Sequence, residues 1–207
     1  MIRLVGLRLF VLAAMLAGCA GPSTLAPERE SIAYREDPDL QRVWIAEGIR
    51  FQNFDTLLVG ETGTQAVNVN PDGVENLVWA RGFLRDEIVA ALRAKNVFST
   101  VATSASELKA GARVLRLDNM IVEYEKGGGG ARFFAGLYGA GQPVIRVRGR
   151  LTDSDRLIFA FEARRSGDSG VARMFGGYRS DKAIQEEDIR DLAQDLVDFI
   201  LRNGRPR

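Results

Sequence analysis

The chain has 207 residues, of which 46% are hydrophobic, and this size suits one globular domain with additional segments. Its 28 lysines and arginines are balanced by 27 acidic residues, which argues against a dedicated nucleic-acid-binding protein. Histidine is absent, so Ser-His-Asp, Cys-His and His-based zinc sites are excluded. No pair of carboxylates stands out either. We therefore expect a non-enzyme, with no catalytic residues and no metal ligands.

The N-terminus has the pattern of a secretory signal. Arg3 and Arg8 precede an apolar run at residues 9–17, which is too short to span a bilayer. Small residues then lead through Gly18 to Cys19, the only cysteine in the chain. This order resembles the lipobox of bacterial lipoproteins. It predicts a signal peptide over residues 1–18 that is cleaved between Gly18 and Cys19.

The lipobox resemblance also implies what Cys19 carries. Its sulfur would hold a diacylglyceryl group and its new N-terminus an acyl chain such as palmitate, and we expect no other cofactor. Two or more chains hold a protein stably on a membrane. Ala20 stands where an aspartate would favour the inner membrane, so the resemblance implies an outer-membrane anchor that faces the periplasm. The alternatives are an ordinary signal peptide with a chance cysteine and a buried apolar helix.

Residues 19–50 lack clear periodicity, and this pattern predicts a tether. Within it, Asp39 to Glu47 could form a short helix. The remaining residues, 51–203, predict a single periplasmic α/β domain. The first half of this domain is expected to contain a strand at 56–59, a turn at 70–73, a helix at 76–96 and strands at 97–101 and 113–124.

A hairpin at residues 143–165 is the clearest local pattern, because apolar residues alternate with polar ones on both strands. If its turn centres on Ser154, Val147 faces Phe161 and Arg146 faces Glu162. A C-terminal helix is predicted at 182–202. Together the elements predict an α+β fold: a mixed, mainly antiparallel sheet with two long helices packed on one face, the C-terminal helix closing the domain.

Glycines at 127–130, 136, 139 and 141, followed by strand residues 144–147 and 151–153, resemble a family of uncharacterised bacterial lipoproteins known only as a domain of unknown function. The resemblance covers roughly residues 50–202. Such domains look like the small α/β units of the TolB N-terminal domain, the curli-secretion lipoprotein and the lipoprotein activators of penicillin-binding proteins. The resemblance implies binding to other envelope proteins, and it carries over no catalytic residue.

Two glycine-rich segments contain aromatic side chains, and one enters the hairpin that the other leaves, so we expect both to lie at one end of the sheet. Residues 127–142 and 167–180 either close the end of the core or form a contact surface for a partner. The candidate contact residues are Phe133, Phe134, Tyr138, Phe175 and Tyr178.

An arginine row on the first hairpin strand is the third candidate feature. Arg146, Arg148 and Arg150 alternate with apolar residues, so they share one face of the strand. They form either a solvated face with cross-strand partners such as Glu162 or an anion-binding face.

These features favour an envelope lipoprotein that binds other proteins as an assembly or accessory factor. The alternative is a binder of an envelope lipid, glycan or peptidoglycan ligand. The expected partners are the membrane, through the lipid anchor, and an envelope protein; homo-oligomerisation stays open, and no nucleic-acid partner is expected.

Replacing Cys19 with serine tests the lipobox interpretation. The variant should lose lipidation and accumulate as the uncleaved precursor, because the thioether and the cleavage site both depend on the sulfur atom. Metabolic labelling with a palmitate analogue measures this, and label that persists on Cys19→Ser contradicts the interpretation.

Overall fold

The computed structural model of the chain describes residues 32–65, 71–127, 143–167 and 180–204. The folded unit begins at Ala33. Its strands and long helices are β1 (Arg35–Asp37), β2 (Gln41–Ile45), β3 (Thr56–Val59), β4 (Gly63–Thr64), α1 (Pro71–Ala94), β5 (Thr100–Ala102), β6 (Val114–Glu125), β7 (Val144–Asp153), β8 (Arg156–Ser166) and α2 (Asp181–Gly204).

All eight strands form one mixed sheet. Its order is β1-β2-β8-β7-β6-β3-β5, with the short β4 beside β6. The run from β1 to β6 is antiparallel, whereas β3 is parallel to both β5 and β6. Parallel neighbours need a crossover connection, and α1 provides it between β3 and β5. The predicted fold class is therefore confirmed.

The two helices pack side by side and run in the same direction. Near their starts, the Lys182 ammonium lies 5.1 Å from the centroid of the Trp79 ring, and near their ends Lys95 Nζ lies 3.9 Å from Asp198 Oδ1. Their buried stripes meet the apolar face of the sheet, which we call the helix-covered face. The fully buried side chains with the largest volumes are Phe51, Phe159, Phe161, Phe199, Leu40, Leu57, Leu84, Ile88, Leu92, Leu115, Leu117 and Ile121.

Neither of these helices, nor any other segment in the described ranges, forms a helix that is both long and apolar enough to cross a membrane.

The short helix predicted at Asp39 to Glu47 is wrong. A turn leads into strand β2, which pairs with both β1 and β8. Val43 is buried on the helix-covered face, whereas Trp44 lies on the other face of the sheet, where it pairs with Ala160 of β8. The sheet therefore begins inside the region that the sequence predicted to be a tether.

The turn predicted at residues 70–73 is also wrong from Pro71 onwards, because α1 begins there. Proline suits the first position of a helix, since its missing N–H has no acceptor in that turn. The helix ends close to the predicted position, where Asn96 takes a left-handed φ of 49°.

The hairpin has the predicted faces but different cross-strand partners. Its turn has two residues, since Asp153 pairs with Arg156, and Ile158 is an additional residue between the pairs Thr152–Leu157 and Leu151–Phe159. As a result Val147 faces Ala163 instead of Phe161, and Glu162 faces Arg148 instead of Arg146. From Val144 to Leu151 the register differs by two residues, and a shift of two keeps these side chains on their predicted faces. Leu157, next to the turn, pairs with Thr152 instead of the predicted Leu151.

One edge of the sheet is a short strand with charged side chains, and at the other edge arginine side chains bond to backbone carbonyls. At one edge, β1 is only three residues long and reads Arg-Glu-Asp. At the other, two arginines of α1 donate to carbonyl oxygens beside β5: Arg93 to Val101 O at 2.8 Å and Arg85 to Thr103 O at 2.6 Å.

Two glycine substitutions test the packing of the hairpin. A Cβ at Gly149 would lie 2.0 Å from Cε1 of Phe161, whereas a Cβ at Gly82 on α1 meets nothing within 4 Å. Gly149→Ala should therefore destabilise the fold by about 1–3 kcal/mol through overpacking. Gly82→Ala should stabilise it by up to about 1 kcal/mol through helix propensity. Denaturant unfolding measures both, and equal effects of the two variants would contradict the described register.

Candidate functional site

Three strand ends lie next to one another where the two glycine-aromatic segments connect to the sheet. Glu125 of β6 pairs with Val144 of β7, and Val144 pairs with Ser166 of β8. We call this region the loop end. Both segments therefore depart from the same end of the sheet, as the sequence analysis expected of them.

The first turns of α2 hold the loop end together. The Tyr124 hydroxyl donates to Gln185 Oε1 at 3.0 Å, and Gln185 Nε2 donates to the carbonyl of Glu125 at 3.1 Å. The amide N–H of Gly167 donates to Asp188 Oδ2 at 2.9 Å. Gln185 and Asp188 are both buried, so these contacts fix the backbone where each of the two segments begins.

Sequence reasoning missed these supporting residues, although a signal was present. Gln185 and Asp188 precede Ile189 and Leu192 on the buried stripe of α2. A polar side chain on such a stripe needs a buried hydrogen-bond partner, and here the partners are the ends of β6 and β8.

Burial raises the pKa of the Tyr124 hydroxyl to about 12, while its hydrogen bond to Gln185 acts in the opposite direction. The hydroxyl therefore keeps its proton, and remains a hydrogen-bond donor, to a higher pH than an exposed tyrosine does. Its role at the loop end is to hold β6 against α2.

Several predicted site residues lie outside the described residues. They are Gly18, Cys19, Phe133, Phe134, Tyr138, Phe175 and Tyr178.

The arginine row lies on the sheet face opposite the helices, as part of a larger set. Strands β2, β6, β7 and β8 together place six arginines on this surface. We call it the arginine face, and its residues are Arg42, Arg116, Arg146, Arg148, Arg150 and Arg164. Arg42 was missed because its strand was predicted to be part of a helix or tether.

Glu162 lies at the centre of the arginine face and is only 5% exposed. Its carboxylate contacts three guanidinium groups: Arg42 at 2.6 Å, Arg148 at 3.2 Å and Arg146 at 3.7 Å. The sequence analysis predicted Glu162 as a cross-strand partner of this row, and the contacts agree with it. An arginine can lay its aliphatic stem along the protein surface while its charged end stays in water. Stems placed in this way shield the Glu162 carboxylate from solvent, and the guanidinium groups still contact it.

The other members of the arginine face differ in their pairing. Glu123 contacts Arg146 at 2.8 Å and Arg164 at 3.6 Å. Arg116 pairs with Asp118 on its own strand, and this contact raises the pKa of the guanidinium further above its usual value. Within the described ranges, no ion pair involves Arg150.

A cleft of about 490 Å³ lies between β8 and α2, on the other side of the sheet. Arg165 crosses it, donating to Asp195 and to the carbonyl of Asp39. Burial raises the pKa of the Asp195 carboxyl, and Arg165 opposes that effect. The cleft is open and charged, and within the described ranges no group of three or more side chains is arranged to hold a metal ion.

A family model described as a domain of unknown function, DUF4410, matches residues 74–187, which is more than half of the chain. This range lies within the 50–202 that the sequence resemblance covered. Comparison with curated proteins gave no significant match.

Solved structures from three bacteria are similar to the chain. The PelC dodecamer from Paraburkholderia phytofirmans is 17% identical with a TM-score of 0.47, over 74% of this chain and 96% of that one. Protein XCC0632 from Xanthomonas campestris is 16% identical with a TM-score of 0.42, over 73% and 85%. A minor lipoprotein from Acinetobacter baumannii is 16% identical with a TM-score of 0.37, over 74% and 98%. At these identities and scores the likenesses carry no argument about function.

The raised pKa of Tyr124 predicts a change of stability in alkali. An exposed tyrosine in the unfolded chain ionises near pH 10, whereas the folded protein holds the Tyr124 proton to about pH 12. The unfolded state therefore binds fewer protons in this window, and stability should fall as the pH rises from about 10 to 12.

Absorbance of the tyrosinate band follows the ionisation of Tyr124 that underlies this fall in stability, and only four tyrosines contribute to the band. The late step of the titration should disappear in Tyr124→Phe, with the earlier steps unchanged. A late step that survives this substitution would assign it to another tyrosine and refute the role given to Tyr124.

Proposed function

The chain belongs to the DUF4410 family, and from that premise we propose that it is a membrane-anchored envelope lipoprotein that acts as a non-catalytic, protein-binding assembly or accessory factor. Its anchor is the lipid on Cys19, and its location is the outer membrane, facing the periplasm. Its contact site is the loop end together with the two segments that depart from it.

The convergence at the loop end is the observation that carries the proposal. Three neighbouring strands end there, and α2 fixes two of those ends through Gln185 and Asp188. Contact residues on loops work best when a rigid scaffold positions the ends of those loops. The two segments that follow these fixed points contain five aromatic side chains that can contact a partner.

The alternative is a binder of an envelope lipid, glycan or peptidoglycan ligand, and a sealed apolar cavity would favour a lipid. The cleft between β8 and α2 differs from such a cavity in both respects, because it is open and its lining includes Arg165, Asp188 and Asp195. We favour protein binding because the loop end offers a fixed scaffold for the two aromatic segments.

Replacing Phe134 and Tyr138 together with serine tests the contact site. If these side chains contact a partner, the melting temperature should change little, while crosslinks in the native envelope, including any between copies of the chain, should be lost. If they instead close the core, the same change should cost several kcal/mol, as expected for large apolar side chains removed from packed positions. Crosslinking with mass spectrometry and thermal unfolding give the two measurements.

A matched control lies at the opposite end of the hairpin. Asp155 and Arg156 are exposed beside the two-residue turn, so their double replacement with serine should leave both stability and crosslinks unchanged. A well-folded Phe134/Tyr138 variant with the same crosslinked partners as the wild type would refute the proposed contact site.

A further inference from the structure

The arginine face carries more positive charge than its carboxylates neutralise. Two glutamates, Glu123 and Glu162, share four arginines, which gives this network a net charge of +2. Arg150 lies beside Arg148 on the same face of β7 and raises the local charge to +3. Arg116 and Asp118 neutralise each other. Glu36 is opposite Arg42 on the edge strand β1 and Glu125 lies at the end of β6, so the six arginines and five carboxylates of the whole face leave a net charge of +1.

The guanidinium groups of this network remain accessible. The side chains of Arg42, Arg146 and Arg148 are 50%, 36% and 42% exposed although each contacts a carboxylate. A guanidinium has five N–H donors, more than the contacts to Glu123 and Glu162 occupy. The remaining donors suit the oxygen atoms of phosphate groups, which arginine binds in a fork geometry.

The polypeptide enters the domain at the border of the arginine face. Tyr34 directly precedes β1, and the Arg42 guanidinium lies 5.5 Å from the centroid of its ring. Only fifteen residue steps separate Cys19 from Tyr34, so even a fully extended chain spans at most about 50–55 Å between them. A lipid on Cys19 therefore keeps this border of the domain within about 50–55 Å of the bilayer.

We propose that the arginine face docks on the phosphate groups of anionic phospholipids in the membrane that carries the anchor. The proposal rests on the anchor at Cys19 in the function proposed above and assigns the domain an orientation, with the sheet towards the bilayer and the helices away from it. Trp44 lies on the same face, opposite Ala160, and tryptophan is a side chain that favours the interfacial region of a membrane. A basic side chain near an anionic surface gains about 1 kcal/mol, so the excess of arginines at the centre of this face favours the stated orientation of a domain that is already tethered.

Tryptophan fluorescence of the lipidated full chain in vesicles tests the orientation. The chain has two tryptophans, and Trp79→Phe leaves Trp44 as the reporter while keeping an aromatic ring against Phe83. The protein is reconstituted into vesicles of phosphatidylcholine alone or mixed with phosphatidylglycerol, both containing phospholipid brominated just below the headgroup. Trp44 should be quenched in the anionic vesicles only, and the quenching should fade as salt is added.

Arginine variants in the Trp79→Phe background distinguish docking through the arginine face from a general effect of the protein's net charge. Arg150→Gln should weaken docking roughly fivefold, and Arg150→Glu should weaken it further; neither substitution breaks an ion pair among the described residues. The matched control is Arg190→Gln with Arg202→Gln, which removes two arginines of α2 that are each 52% exposed. This control should quench like the parent, and loss of quenching in it equal to that in Arg150→Glu would overturn the proposal.

Vesicle flotation in high salt reports the anchor separately. Flotation without Trp44 quenching in anionic vesicles overturns the docking and leaves the anchor intact. Flotation lost in high salt but present with quenching in low salt supports the docking and refutes the anchor, and no flotation in either condition refutes both. Equal quenching in neutral vesicles, or crosslinks between copies across the arginine face in detergent, would also overturn the proposal.

Discussion

The ring of Phe161 lies against Gly149, and the antiparallel half of the sheet depends on this close approach. A single Cβ at position 149 would clash with the ring at 2.0 Å and with Oδ1 of Asn119 at 2.8 Å. The ring also stacks near Phe159, which stacks on Phe199 of α2 with ring centroids 4.9 Å apart. The absence of one side chain therefore lets the helix-covered face stay flat enough for α2 to pack on it.

The same pairing of β7 with β8 also determines which side chains meet on the arginine face. Because Gly149 pairs with Phe161, the next residues along the strands, Arg148 and Glu162, are also opposite each other, but on the outer surface. A buried carboxylate is costly without charged partners, and the neighbouring strands provide Glu162 with three. One alignment of β7 and β8 thus creates both the apolar core beneath the helices and the charged surface by which we propose that the domain lies on its membrane.

The sequence predicted most of what depends on periodicity and little of what depends on long-range contacts. The hairpin faces, the two helices and the fold class follow from the alternation and helical spacing of apolar residues. Strand β2 was missed because Leu40, Val43 and Trp44 have helical spacing, while only pairing with β8 shows that Val43 and Trp44 lie on opposite faces. The bulge at Ile158 likewise has no local signal in the sequence.

Residues of the candidate site were likewise predictable when their partners are near in the sequence and missed when their partners are far away. The arginines of β7 and their partner Glu162 were predictable, since both lie within one hairpin. Arg42 was not, because it joins the face from a strand 120 residues away in sequence. Gln185 was not assigned either, since its partners on β6 are about 60 residues away.

The two edges of the sheet limit how copies of this protein can associate. An open edge strand invites another chain to add a strand, which leads to aggregation or fibres. Here one edge is the three-residue, fully charged β1, and at the other the guanidinium groups of Arg85 and Arg93 already occupy carbonyl oxygens beside β5. These edges disfavour the growth of a continuous sheet between copies of the chain, which the membrane anchor that we propose would hold at high local concentration.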